Sequence, residues 1–273
     1  MWDAADDRER HVLSACAVRR AARAQVAFSH ATSVVLHGGP DWGVDLGEVH
    51  VARQDARSGR AEAGVRRHRV VVQEEELETT RGLSHTAPAR AALEVLSTAG
   101  VETALCVAND FLHRGLMTPE DLAASAQQAQ HWPGTLAAPV LLSLADRRVE
   151  TVGESRTAYL FHCHGIRGAV PQHEVRDGGR LLGRVDFAFP DAGVFVEFDG
   201  RVKYTTLLRP GETVADVVLR EKRRQERIAA ATGWECIRIT WVDLAAPGPT
   251  AERIRTALER GRARRRLRLN SAS

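Results

Sequence analysis

The sequence predicts an α/β protein in two parts, an α+β region followed by a mixed sheet flanked by helices. Three observations carry this. Before Glu150, six stretches with apolar residues at helical spacing surround only two strand-like runs. After it the order becomes helix, two or three strands, helix, strand, the pattern of a sheet with helices on its faces. The 273 residues, 44% hydrophobic and 27% charged, suffice for two ordinary globular domains.

Residues 5–24 are rich in Ala and Arg, with Val12, Leu13 and Cys16 at helical spacing. Ser29 to Leu36 reads as a second, short helix that stops at Gly38-Gly39, and Pro40-Asp41-Trp42-Gly43 as a turn. Glu48 to Arg53 alternates like a strand, Ser58 to Gly64 is a polar link, and Val65 to Val72 is a second strand. Thr86-Ala87-Pro88 opens a helix to about Ser97, and Glu102 to Arg114 continues helically. Thr118-Pro119-Glu120-Asp121 combines a capping Thr, Pro at the first helical position and acids in the first turn. That helix runs to about Gln130, Trp132-Pro133-Gly134 breaks it, and Leu136 to Asp146 is another.

In the second half, Gly153-Glu154-Ser155 leads a helix to about His164, and His173 to Val175 is extended. Gly178-Gly179 marks a tight turn. Arg184 to Phe189 and Val194 to Asp199 read as strands joined by a turn at Pro190 to Gly193. A long charged helix over Val214 to Ala231 follows, then a strand from Cys236 to Trp241.

Charge is unevenly spread. Residues 251–273 carry eight arginines against Glu252 and Glu259, a net of +6; with +3 in total, the first 250 residues stand at −3. A basic tail neutralises phosphates with little sequence selectivity, or it is a solvated helix end. The tail's Arg264, Arg265 and Arg266, and Lys222, Arg223 and Arg227 of the long helix, are candidate nucleic-acid contacts. Cys16, Cys106, Cys163 and Cys236 never form a CxxC pair, so they read as buried or half-buried free thiols. No stretch approaches the roughly 20 apolar residues of a membrane helix. The acidic start, with Asp3, Asp6, Asp7 and Glu9, is unlike a signal peptide, so a cytoplasmic location is expected. There is no Walker loop and no GxGxxG, which leaves nucleotide cofactors without support.

The chemistry concentrates on two strands. Glu197 and Asp199 are two apart and share a strand face, and the turn places Asp186 beside them. Carboxylates brought together among Val and Phe repel unless a proton or cation intervenes. Mg²⁺ or Mn²⁺, held by Asp186 and Glu197, is the simplest remedy. Such an ion polarises a phosphodiester and lowers the pKa of bound water. Glu154 adds a further carboxylate, and Lys203 a cation that stabilises developing charge. The plainer alternative puts these acids on the solvent face of a hairpin.

Gly183-Arg184-Val185-Asp186-Phe187, Val196 to Tyr204, Glu221 to Arg224 and Gly233 to Asp243 together resemble a family of uncharacterised endonuclease-like domains. That family is related to the very-short-patch repair (Vsr) nucleases of the PD-(D/E)xK superfamily. The resemblance implies a restriction-endonuclease-like mixed sheet of four strands flanked by helices, and metal-dependent phosphodiester hydrolysis. Asp186 matches the central Asp of the motif, Glu197 its second acid and Glu154 its helix acid. Asp199 stands where the motif has lysine, so Lys203 or Lys222 supplies the cation, another arrangement does, or the site is inactive.

More loosely, Phe28 to Gly38, the first strand pair, Gly82 to Leu93 and Leu112 to Leu122 resemble AbiEi-type antitoxins of type IV toxin–antitoxin systems. Those proteins carry a winged-helix head before this region. Either the head is lacking or the true start lies upstream, so the head's DNA-binding role is not carried over.

The expected organisation is therefore an antitoxin-like α+β region over 1–148, an endonuclease-like domain over 149–246, and a basic helix or tail over 247–273. The expected activity is DNA cleavage, with RNA left open as substrate. The rival is a DNA-binding regulator or antitoxin with an inactive nuclease fold and a cognate toxin as partner. His162-Cys163-His164 is read as structural, because neighbouring helical residues diverge. Trp42, Trp132, Trp234 and Trp241 are read as packing anchors.

Overall fold

The structure, a computed structural model, describes residues 2, 4–22, 25–52, 61–62, 64–200, 213, 223 and 226–271. It is a mixed α/β protein with two mixed sheets flanked by helices. The chain divides into two compact units, Met1–Val152 and Gly153–Ser273.

The first unit opens with α1 (Asp7–Ala21), which Asp6 and Glu9 start with a capping box. Its sheet has the order β3-β4-β2-β1-β6-β5. The strands are β1 (Ala27–Phe28), β2 (Val49–Ala52), β3 (Ala61–Glu62), β4 (Val65–His68), β5 (Leu77–Thr80) and β6 (Leu83–Thr86). β1 is parallel to β6 and antiparallel to β2, while β2 and β4 run parallel. Ala15 of α1 packs on Phe28, Val49, Val51 and Leu83.

Sequence reading finds two strands here, and the described residues form six. The β5–β6 hairpin turns at Arg81-Gly82, both at positive φ (52° and 78°), the geometry that twisted two-residue hairpins favour. Its strands, LETT and LSHT, are short and polar, so they carry no alternation strong enough to read.

α2 (His30–Leu36) is buried over its first six residues. α3 (Pro88–His113) joins the two expected helices across Gly100, whose φ of 81° makes the kink. Contrary to the sequence expectation, α3 is long and apolar enough, by length and composition, to cross a membrane. Its side chains are instead mostly buried, and its first turns hold the buried Arg90 and Glu94, charges that a lipid interior accommodates at high cost. α4 (Pro119–Gln128) begins with the capping box of Thr118 and Asp121, and α5 (Ala138–Leu144) follows.

The second unit begins with α6 (Val152–Cys163). Its sheet has the order β10-β9-β8-β7, with strands β7 (Val170–Asp177), β8 (Arg180–Phe189), β9 (Val194–Phe198) and β10 (Glu235–Ile239). β7, β8 and β9 are antiparallel neighbours; β10 joins β9 in parallel. Gly178 and Gly179, at φ 52° and 86°, turn the β7–β8 hairpin.

Phe187 and Phe189 meet Phe161 of α6 edge-on at 5.3 and 5.5 Å, so α6 covers that sheet face. On the opposite face Ala188 and Phe195 pack with Ile228, within the described helical stretch 226–232. Most of the long predicted helix lies outside the described residues.

Two sequence expectations are corrected in this unit. The last strand ends at Ile239, and Trp241 starts a short helix, Trp241–Ala245, because Thr240 and Asp243 form a capping box there. Cys163, expected to be at least half-buried, is exposed at the end of α6.

The basic tail is the helix Pro247–Ser271. Ala251, Ile254, Ala257 and Leu258 are buried on one stripe, and a Cβ at Gly261 would collide with the Ala192 carbonyl. The tail is thus packed onto its own unit along that stripe.

Candidate functional site

Asp186 and Glu197 are the next residues beyond Phe187↔Val196, the last antiparallel ladder pair of β8 and β9. The ladder opens there because Asp186 Oδ2 accepts a 2.8 Å hydrogen bond from the Phe198 backbone N–H. Strand alternation puts Glu197 and Asp199 on the face of Phe195, opposite the α6-covered face. Glu197 is buried, while Asp186 and Asp199 are half-buried.

Glu154 sits in the first turn of α6 and is 1% exposed. Its Oε2 accepts a 2.8 Å hydrogen bond from Gln172 Nε2 of β7. The preceding Gly153 lies flush on the Phe198 ring, where any Cβ would overlap the ring atoms. Phe198 thus links Asp186, bonded to its N–H, with α6, whose Gly153 lies on its ring. The ring itself meets Trp241 edge-on at 4.8 Å. Trp241, read from sequence as a packing anchor, keeps 39% of its surface exposed and carries the Arg156 guanidinium 5.8 Å above its ring.

Asp199 is anchored to the neighbouring strand β10. Its N–H donates to the Ile239 carbonyl at 2.7 Å, and its carboxylate stands 3.6 Å from Arg238 Nη1. Arg238 is aligned with Glu197 across the parallel β9–β10 pair, so the two share a sheet face. A cation thus reaches the Asp199 position from the neighbouring strand. Sequence reasoning missed Arg238 because it sits one strand away, in a run of alternating residues with no motif spacing.

The remaining predicted residues are dispersed. Lys203 and Lys222 lie outside the described residues. Arg223 and Arg227 are both exposed. Arg264 pairs with Glu235 at 3.1 Å, Arg265 donates to the Pro190 carbonyl, and Arg266 is exposed. Arg260 and Arg262 also pair internally, with Glu235 and Asp191. Much of the tail's positive charge is therefore balanced within its own unit.

Among the described residues, the group of three metal-ligand side chains whose donor atoms all lie within 4.8 Å of one another is His30, His50 and His68. The three acids do not draw that close. The histidines come from α2, β2 and β4, and their wide spacing in the chain gave the sequence reading no signal.

No family model matches the chain, and no solved structure matches it. It is similar to "Uncharacterized protein Rv2248" and "Uncharacterized protein MT2308" of Mycobacterium tuberculosis, strains H37Rv and CDC 1551. Each is 28% identical over 187 residues, which is 68% of this chain and 66% of the relative, slightly under two thirds of the relative's length.

Proposed function

We propose that the second unit is a restriction-endonuclease-like domain that hydrolyses DNA phosphodiester bonds with Mg²⁺ or Mn²⁺ in the cytoplasm. The observation that carries this reading is the Asp186 carboxylate bonded to the Phe198 N–H beside Glu197, at the open end of the β8–β9 ladder. Both offer carboxylate oxygens, the donor type that hard divalent ions take.

When bound, the ion supplies Lewis acidity toward a phosphoryl oxygen and a more acidic water. Asp186 and Glu197 would hold it, and Glu154, bonded to Gln172, would assist as the helix acid that the resemblance assigns. Arg238, beside Asp199, would stabilise the negative charge that develops on the phosphate, the part the resemblance gives to lysine. Arg223 and Arg227 would contact the nucleic-acid backbone.

A second reading is favoured by one observation: Asp199 occupies the lysine position and draws Arg238 into an ion pair. On that reading the fold is a DNA-binding platform of a regulator or antitoxin with a toxin partner, and cleaves nothing.

The test is nicking of supercoiled plasmid by the full chain in Mg²⁺, Mn²⁺ or EDTA, with labelled RNA in parallel. Asp186→Ala and Glu197→Ala are run beside the wild type. Metal-dependent nicking abolished in both variants is expected. Wild-type protein that binds DNA yet leaves it intact in every metal overturns catalysis in favour of the platform, and cleavage of RNA alone reassigns the substrate.

A further inference from the structure

The N-terminal unit holds a side-chain cluster that the nuclease reading does not use. His50 of β2 and His68 of β4 lie on one sheet face: β2 and β4 run parallel with Ala52 aligned to His68, and His50 is two residues from Ala52. Their rings stack at 5.0 Å, with His50 Nδ1 2.9 Å from His68 Nε2. His30, at the start of α2, stacks on His68 at 3.5 Å and tilts against His50 at 5.4 Å. Three imidazoles from three separate elements thus converge with their donor atoms within 4.8 Å of each other.

The bland account is a buried histidine stack satisfied by its own hydrogen bond. That bond accounts for His50 and His68, while the His30 ring is held separately, its Nδ1 2.9 Å from Ser29 Oγ. His30 has φ +52°, in the left-handed region that a non-glycine residue occupies at a cost. The conformation is pinned from behind. Its N–H donates at 2.8 Å to Glu94 Oε2, which also accepts from Thr86 Oγ1, while Arg90 Nε holds the other oxygen. Outer-shell bonding to the other ring nitrogen of a ligating histidine is what metal sites characteristically show, and Ser29 Oγ stands in that place beside His30 Nδ1.

We propose that His30, His50 and His68 form a binding site for a divalent transition-metal ion, of the three-histidine type that zinc takes with water as fourth ligand. Imidazole donors select Zn²⁺, Cu²⁺ or Ni²⁺ over Mg²⁺, so this ion is chemically distinct from one held by the carboxylates of the other unit. Zinc–nitrogen bonds near 2.0 Å put tetrahedral donors about 3.3 Å apart, so rings already within 4.8 Å close on the ion by side-chain rotation.

The probes are Zn²⁺ and Co²⁺, titrated into the full chain carrying Cys163→Ser to remove the exposed thiol. Uptake is read by elemental analysis after dialysis, and geometry by the visible absorption of Co²⁺. One equivalent per chain is expected, with an intense four-coordinate Co²⁺ band. His50→Gln and His68→Gln, each shown folded by circular dichroism, should lose the band. Each should also lower zinc affinity by more than the roughly 10–100-fold that an outer-shell change costs. Asp186→Ala should retain both. Wild-type protein that takes up no stoichiometric zinc overturns the site, whatever the variants do. So does uptake that survives both histidine changes, or that disappears with Asp186→Ala.

Discussion

The Asp186 carboxylate and the Phe198 N–H are joined by a 2.8 Å hydrogen bond that takes the place of the next rung in the β8–β9 ladder. One side chain therefore ends the strand pairing and, in the proposed site, holds the metal. The two roles separate by substitution. Asp186→Asn keeps an acceptor oxygen for Phe198, so its urea midpoint should stay near wild type. Asp186→Ala should cost about 1.5–3 kcal/mol, the range for a hydrogen bond to a charged group. Both should abolish metal-dependent nicking. An active Asp186→Asn variant would remove the metal role and leave the structural one.

Arg238 reaches Asp199 from the strand beside it. If it supplies the charge that the motif assigns to lysine, Arg238→Ala should lower the nicking rate by about 10²–10³-fold, the scale for losing one oriented donor. Arg238→Lys should restore part of it, since a point charge replaces a planar fork. The rate is compared with a thermal melt on the same samples. A rate loss matched by unfolding would assign Arg238 to stability alone.

Gly153 is where the Phe198 ring lies on α6. The ring cannot retreat freely, because Trp241 stands edge-on against it at 4.8 Å. Gly153→Ala should therefore destabilise by about 1–3 kcal/mol, although alanine is the better helix former. Combining it with Phe198→Leu should give less than the sum of the two single costs, measured by denaturant unfolding.

Where the chain stated its own punctuation, the fold was legible. Thr118-Pro119-Glu120-Asp121 starts α4, Gly178-Gly179 turns the β7–β8 hairpin, and acids alternating with Val and Phe mark β8 and β9. What stayed hidden depends on tertiary partners. β1 is two residues long and exists as a strand only through its pairing with β2 and β6. Arg238 acquires meaning only from the register of β10 on β9. His30, His50 and His68 meet only after a parallel pair and a short helix have formed, and no local spacing encodes that.

Arg90 is 3% exposed and tied at once to Glu94 (3.0 Å), Glu76 (2.6 Å) and the Val71 carbonyl, with its guanidinium 4.6 Å from the Trp132 ring. Glu94 is equally enclosed, and burial raises its carboxyl pKa despite the Arg90 charge. Removing one partner strands the other, so Arg90→Ala or Glu94→Ala should cost about 3–5 kcal/mol. The double change to well-packed apolar residues should cost less than either single one. Denaturant unfolding of the full chain decides it, and a double variant as unstable as the sum would show that the network acts through several independent contacts.

His85 and His37 pack edge-on at 4.3 Å inside the same unit. Burial lowers His85 to about 4 and also lowers His37, against the Thr86 carbonyl and, for His37, the Glu78 carboxylate, which both raise it. In the unfolded chain each titrates near 6.5. Below that pH the unfolded state binds more protons than the folded one, so stability rises with pH across this window. The contribution is present above about pH 6.5 and is lost as pH falls toward about 4. Thermal melts of metal-free protein at several values between pH 7 and pH 4 should fall steadily. His85→Gln, which keeps a polar side chain for Thr80 and removes the titration, should give a shallower decline. An equal slope in wild type and variant would mean that His85 binds its proton equally in the folded and unfolded states, and that the acid sensitivity arises elsewhere.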